Sequence, residues 1–409
     1  MTESARKHGG DDSLNIVMIG TRGVPAAYGG FETAIEEIGK RLVARGHSVT
    51  VYCRKGNEPR LREHEGMKLV HLPSIRAKVV ETLSHTAISV LHACARGKPD
   101  VAFVFNAANS PFVPALHLRA IPTAVHVDGL EWLRGKWGSA GRRYYRFAES
   151  FAVRTADAII ADAQGIADYY EYEFGVSSHL LRYGSPILNL PSDTKLESLS
   201  VSSKKFHLVV ARFEPENNVE MIVRGYHASN AKLPLVVVGS APYSASYTNQ
   251  IEEIAKNDER IRLLGGVWDQ DLLDQLYAHA LTYLHGHSVG GTNPSLLRAM
   301  GAATAVCAFD VVFNREVLGD LGQFFCTPSD VTQFVSSAES SPHDQVELGD
   351  QIQRRAARLF NWDDVALGYE GLARDLAAGK GERHRRAVRR SQSAWTVKGE
   401  NYSKEDSGV

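Results

Sequence analysis

Cysteine is scarce in this chain, and its placement points to no site. Among 409 residues there are four, Cys53, Cys94, Cys307 and Cys326. None forms a C-x-x-C pair, which excludes zinc-ribbon and thioredoxin-like chemistry. Burial as free thiols in a reducing cytosol is the reading that remains. An excess of one charge sign is also missing. The formal net charge is −1, so there is no global basic surplus to neutralise phosphates, and nucleic acid is not an expected partner. Long apolar runs are absent too. The most apolar stretch, Val101 to Val127, is broken by Pro111, Pro114 and Pro122 and carries Asn106, Asn109 and Arg119, so it does not read as a membrane span. The first fourteen residues are mostly polar and do not read as a signal peptide. Neither a P-loop nor G-x-G-x-x-G is found, which removes the main support for ATP or nicotinamide binding.

What is present is the composition of a soluble globular protein, 44% hydrophobic and 23% charged, long enough for two or three domains. Short apolar runs alternate with helix-period segments. Expected strands are Asn15–Ile19, Ser48–Cys53, Met67–Leu72, Val101–Phe105, Thr123–Val127, Ala158–Ala161 and His179–Arg182. After a serine-rich stretch the alternation restarts at Phe206–Ala211, Leu235–Val238, Ile261–Leu264, Leu281–Leu284 and Thr304–Cys307. This is the βαβ signature of parallel sheets covered on both faces. The expectation is α/β, with two doubly wound, Rossmann-like domains facing across a cleft. The expected divisions are a flexible start at 1–13, an N-terminal domain at 14–187 and a linker at 188–205. A C-terminal domain follows at 206–345, then helices at 346–378. The tail at 379–409, with Arg383, Arg385, Arg386, Arg389 and Arg390, is expected to be disordered and solvated. The alternative for that tail is attraction to an anionic membrane surface.

Ligands of open α/β sheets bind beyond the carboxyl ends of the strands, so the residues following each strand matter most. The first strand leads into Gly20-Thr21-Arg22-Gly23, then Tyr28-Gly29-Gly30-Phe31-Glu32 and a helix. Glycines admit a phosphate to the backbone and a helix N-terminus attracts it; the alternative is a simple glycine-rich turn. His126 lies in a strand that runs on into Asp128, Glu131 and Trp132, a set able to meet sugar hydroxyls, or a hydrogen-bonded histidine at a sheet edge. Arg212 follows another strand, with Glu214, Glu216 and Asn217 close behind. It suits either a diphosphate or a surface salt bridge. The most informative run is His285 to Met300. In it Asn293 fits an N-cap and Pro294 the first helical position, behind Gly290 and Gly291. His285 and His287 lack a nearby carboxylate or cysteine, so no metal site is expected.

Taken in order, TRGVPAAYGGFET, VDGLEW…KWG, ARFEPENN, GHSVGGTNPSLL and FNREVLGD resemble the retaining glycosyltransferase family four. Within it they resemble the bacterial subgroup with a rhamnosyltransferase-type N-terminal domain. The resemblance implies the GT-B fold and sugar transfer from a nucleotide-diphosphate donor. It also implies retention at the anomeric carbon, no metal, and no cofactor beyond the nucleotide sugar. The acceptor would be a glycan or lipid-linked sugar of the cell envelope, handled in the cytoplasm or at the inner face of the membrane. By the same resemblance, Gly29 and Gly30 contact phosphate or acceptor, His126 lines the reaction centre, and Arg212 pairs with the diphosphate. Glu216, Asn217, Gly290, Gly291, Thr292, Asn293 and Ser295 surround the donor. Tyr28, Asp128, Glu131 and Trp132 fall on the acceptor side.

Two positions depart from the pattern. Many relatives carry two glutamates eight positions apart, falling on Gly290 and Arg298 here. The second accepts hydrogen bonds from the ribose, whereas an arginine has only donors. Asn217 stands where many relatives have a lysine. Two readings of Arg298 stay open: it adds charge to the diphosphate site, or the chain is a catalytically impaired GT-B protein that scaffolds an active transferase.

Overall fold

The computed structural model describes residues 13–26, 30–56, 61–75, 77, 80–127, 129–134, 137–190, 192–240 and 245–389. Two sheets organise them. The first contains β1 (Asn15–Ile19), β2 (Ser48–Arg54), β3 (Glu63–His64), β4 (Met67–Leu72), β5 (Val101–Phe105), β6 (Thr123–Val127), β7 (Ala158–Ala161) and β8 (His179–Leu180), in the order β3-β4-β2-β1-β5-β6-β7-β8. All pairs are parallel except β3 with β4. The second contains β9 (His207–Val210), β10 (Leu235–Val238), β11 (Ile261–Gly265), β12 (Thr282–His285), β13 (Ala305–Phe309) and β14 (Gln323–Phe325), in the order β11-β10-β9-β12-β13-β14, all parallel. Central strands such as VAFVF and TAVHV are buried at every position. That is why they read as largely apolar runs, broken in the second only by Thr123 and His126, rather than as alternation.

Helices cover both faces of each sheet. The N-terminal set is α1 (Gly30–Ala44), α2 (Glu81–Arg96), α3 (Val113–His117), α4 (Ser139–Thr155) and α5 (Gln164–Phe174). The C-terminal set is α6 (Val219–His227), α7 (Ala245–Lys256), α8 (Gln270–His279), α9 (Pro294–Gly301), α10 (Val312–Leu318), α11 (Pro328–Ser340), α12 (Pro342–Leu359) and α13 (Trp362–Ala377). Among the described residues no helix is long and apolar enough to cross a membrane.

The chain crosses between the sheets twice. The serine-rich stretch expected as a linker is anchored by Leu196 and Val201, both buried in the core. Later, α13 returns from the second sheet to lie on α1. Arg41 pairs with Asp363 at 2.7 Å, and Arg45 with Glu370 at 2.6 Å. Burial opposes the Glu370 charge, but hydrogen bonds from Arg45, Arg374 and His47 outweigh it and hold the carboxyl at about 2.

Residues 379–389, the described part of the stretch expected to be a solvated, disordered tail, are held by ion pairs. Arg383 pairs with Asp157, which also accepts from the Thr123 N–H. Arg389 reaches the buried carboxylates of Glu149 at 2.8 Å and Glu173 at 2.9 Å, and its guanidinium sits 4.8 Å from the Phe174 ring centroid. Two buried carboxylates without a counter-charge would be costly, so these arginines tie residues 380–389 to the N-terminal domain. Arg390 lies outside the described residues.

Candidate functional site

The start of α9 meets the start of α1. Asn293 caps α9 by accepting from the Ser295 N–H at 2.9 Å, and Pro294 holds the first helical position, as the sequence pattern requires. A Cβ added to Gly30, the first residue of α1, would lie 3.1 Å from the Pro294 ring. Two helix N-termini thus abut, each presenting partial positive charge. Gly29 and Tyr28 precede this point and lie outside the described residues, as does Asp128.

The loop between β12 and α9 is held on both sides. Within its own domain, the Ser288 N–H and hydroxyl both donate to the Glu216 carbonyl, at 2.9 and 2.8 Å. Asn218 Nδ2 donates to the Gly286 carbonyl and Asn314 Nδ2 to the His287 carbonyl. Towards the other domain, the Thr292 hydroxyl donates to the Asp162 carbonyl at 2.7 Å. A Cβ on Gly291 would fall 2.0 Å from Asp162 Oδ1, and the Gly290 backbone lies against Gly129. Gly290 itself has φ +122°, a conformation that suits glycine. Among the described residues, the Thr292 and Asn293 N–H groups have no recorded acceptor. The Ser295 N–H, expected to face a ligand, is taken by the Asn293 cap, and the Ser295 hydroxyl lies 2.7 Å from that of Tyr283.

Cationic groups gather beside this loop. Arg212 follows β9, is 40% exposed, and among the described residues reaches only Glu214, at 3.4 Å. An exposed pair of that kind is worth at most about 1 kcal/mol, so the guanidinium can exchange it for a diphosphate. Asn217 braces the same turn, donating from Nδ2 to the Arg212 carbonyl and accepting at Oδ1 from His287 Nδ1 at 2.7 Å. Burial, with the nearby guanidinium charges of Arg134 and Arg212 adding to it, holds His287 well below its usual range. The imidazole is therefore neutral, chiefly because it is buried. The side chain of Glu216 is buried, and Oε1 has no hydrogen-bond partner among the described residues.

His126 is enclosed on the N-terminal side. Its ring sits among Phe31, Phe105, Tyr183 and Tyr369, and Nδ1 lies 2.7 Å from the Tyr369 hydroxyl. Burial pushes its pKa down to about 3, so it stays neutral across the physiological range. Nε2 is buried and has no partner among the described residues. A buried polar atom of this kind costs about 1–3 kcal/mol unless something pairs with it.

The other expected residues are employed differently. Glu131 is buried, pairs with Arg134 at 2.6 Å and accepts from Trp137 Nε1 at 3.3 Å. It builds the loop rather than standing open to a sugar hydroxyl. Trp132 packs against the N-terminal core with the Arg146 guanidinium 5.0 Å from its ring centroid. Arg298 turns towards α8 and pairs with Asp274. Asp162 and Tyr369 are central here yet were not anticipated. An acid directly after β7 is a visible signal for Asp162, whereas Tyr369 is 243 residues from His126.

Comparisons with known proteins accord with this arrangement. Residues 14–186 match the family described as Domain of unknown function (DUF1972), and residues 193–358 match Glycosyl transferases group 1. The chain is 25% identical over 175 residues to O-antigen chain mannosyltransferase B of Escherichia coli, covering 41% of this chain and 45% of that protein. It is 36% identical over 61 residues to an uncharacterized 42.6 kDa protein in the cps region of Klebsiella pneumoniae, covering 15% and 16%. The chain thus spans less than half the length of either curated relative. Among solved structures, sucrose-phosphate synthase from Thermosynechococcus elongatus superposes with TM-score 0.78 at 19% identity, covering 89% of this chain and 99% of that one. Anabaena HepE in complex with UDP superposes with TM-score 0.71 at 16% identity, covering 89% and 100%. The fold is GT-B, two parallel-sheet Rossmann-like domains, and the second carries a glycosyl transferases group 1 domain.

Proposed function

We propose that this GT-B chain, with its glycosyl transferases group 1 domain, is a retaining, metal-independent glycosyltransferase. It moves a hexose from a nucleotide-diphosphate donor to a glycan or lipid-linked acceptor in cell-envelope or exopolysaccharide synthesis. Mannose and rhamnose are the first sugars to try: the Escherichia coli relative is named a mannosyltransferase, and the N-terminal motifs resemble the rhamnosyltransferase type. The observation that carries the reading is the meeting of the α1 and α9 N-termini beside Arg212, with the Thr292 and Asn293 N–H groups unclaimed among the described residues.

The chemistry follows from charge. When the bond between the anomeric carbon and the diphosphate oxygen breaks, the electron pair leaves with the phosphate. Arg212 and the two backbone donors stabilise that charge as it develops, in a site already shaped to receive it. The acceptor oxygen attacks the same face, and its proton passes to the departing phosphate. His126, neutral at pH 7, takes no proton in this scheme. At Arg298 the ion pair sets a carboxylate, Asp274, beside the position where many relatives present a glutamate to the ribose. We read this pair as compensating for the departure, which favours an active enzyme over an inert scaffold. Incubation with a panel of nucleotide sugars and lipid-linked acceptors tests the proposal. Sugar transfer or donor hydrolysis supports it. Absence of both, together with no donor binding at millimolar concentration, contradicts it.

A further inference from the structure

The surface built by α2, α3 and α4 differs in charge from the rest of the molecule. Residues 81–155, from the start of α2 to the end of α4, hold nine lysines and arginines against five acids, in a chain of net charge −1. Two of those acids, Glu131 and Glu149, are buried and ion-paired with Arg134 and Arg389. The outward stripe of α4 carries Arg143, Phe147, Ser150 and Arg154, at spacings that share one helix face. Among the described residues no carboxylate pairs with Arg119, Arg142, Arg143, Arg146 or Arg154; Arg142 and Arg154 bond only to backbone carbonyls, and Arg146 lies over Trp132. Elsewhere, arginines such as Arg41, Arg182 and Arg260 are paired.

Apolar side chains stand in this cationic field. Phe147 is 49% exposed and lies against Phe151, ring centroids 5.6 Å apart and planes tilted by 35°. Leu118, at the end of α3 and next to exposed Arg119, is 87% exposed. Isolated exposed apolar side chains are ordinary on a solvated surface; here Phe147 and Leu118 stand beside arginines that no carboxylate neutralises among the described residues. A nucleic acid would satisfy the arginines but gives Leu118 nothing to bury against. Arginines beside protruding apolar side chains match the interface of an anionic bilayer, phosphate outside and acyl chain within. We propose that the α2–α3–α4 face docks this protein onto an anionic lipid surface. In this arrangement Phe147 and Leu118 enter the headgroup region and the arginines lie on lipid phosphates. The docking element belongs to the folded N-terminal domain, since Arg383 and Arg389 of the basic tail are spent on Asp157, Glu149 and Glu173.

Sedimentation of the full chain with sucrose-loaded vesicles tests this without any need for transferase activity. Binding is expected to vesicles containing phosphatidylglycerol, not to pure phosphatidylcholine, and to fall with added salt as screening grows. Each basic contact contributes roughly fivefold in partitioning. Arg142→Glu/Arg143→Glu/Arg154→Glu therefore lowers it at least about a hundredfold. Phe147→Ser lowers it several-fold with the salt dependence retained. Arg385→Glu/Arg386→Glu, in the tail, keeps most of it. Melting curves identify any variant that fails to fold, and the single Arg143→Ala then serves in its place. No binding by the wild-type chain, equal binding to neutral vesicles, undiminished binding by the triple variant, or loss only in the tail variant overturns the proposal.

Discussion

Adding one methyl group at Gly291 is expected to disable the donor loop. The new Cβ would fall 2.0 Å from Asp162 Oδ1, 2.7 Å from Cγ and 2.9 Å from Oδ2, where real side chains keep at least 3.0 Å. Either the loop retreats or the domains part, by roughly 1 Å in each case, and the Thr292–Asp162 hydrogen bond stretches or breaks. Overpacking costs about 1–3 kcal/mol, and the lost hydrogen bond about 1 kcal/mol more. The functional loss is larger, because a misplacement of about 1 Å in a positioning element can cost about a hundredfold in rate. Gly291→Ala is therefore expected to lower kcat/KM by about that factor while leaving the fold intact. Asp162→Ala removes all three clashing atoms yet keeps the carbonyl that Thr292 uses, so the double variant should recover part of the loss. Initial rates for the four proteins of this double-mutant cycle measure the coupling. Wild-type kcat/KM in Gly291→Ala, or losses that simply add in the double variant, would refute the steric account.

Other outcomes follow from the same contacts. Glu316 accepts from the N–H groups of Gln164 and Gly165 at the start of α5 and pairs with Arg182; Glu316→Ala should cost about 1–2 kcal/mol, read as a lower Tm. Arg298→Glu sets two carboxylates face to face, so calorimetry should record weaker nucleoside diphosphate binding than wild type; tighter binding in the variant would instead mark the donor site as degraded. Burial holds both His126 and His285 at about 3 against 6.5 when unfolded. The unfolded chain thus takes up protons below pH 6.5 that the folded chain refuses, and stability falls as the pH drops from 6.5 towards 3, by up to roughly 4 kcal/mol for each imidazole. His126→Gln should flatten the dependence of Tm on pH in that window, and an unchanged slope would contradict the assignment.

The strands were legible where burial on both faces left four or five apolar residues in a row, as in β1, β5 and β10. They were not legible in β3, which is only Glu63–His64, an antiparallel edge pair set by the neighbouring strand, or in β14, three residues long. The capped start of α9 was readable because Asn293, Pro294 and the glycines before them carry local backbone chemistry. Contacts between domains carry no local signature. Gly291 looks like an ordinary loop glycine until Asp162, 129 positions earlier, is seen filling the space of its side chain. The partners of Glu131 were not legible for a related reason: a carboxylate after a strand suits a sugar hydroxyl equally well until Arg134 and Trp137 are found holding it. The arginines of the tail suggested solvent by composition, and two of them instead neutralise carboxylates buried far back in the chain.

The account rests on a diphosphate seated between Arg212 and the start of α9. Calorimetric titration of nucleoside diphosphates into the wild-type protein and Arg212→Ala tests it most directly. A charge-assisted contact is worth about 1.5–3 kcal/mol, so the variant should bind about ten- to a hundredfold more weakly. Equal affinity in the two proteins, or no binding by either at millimolar concentration, would contradict it.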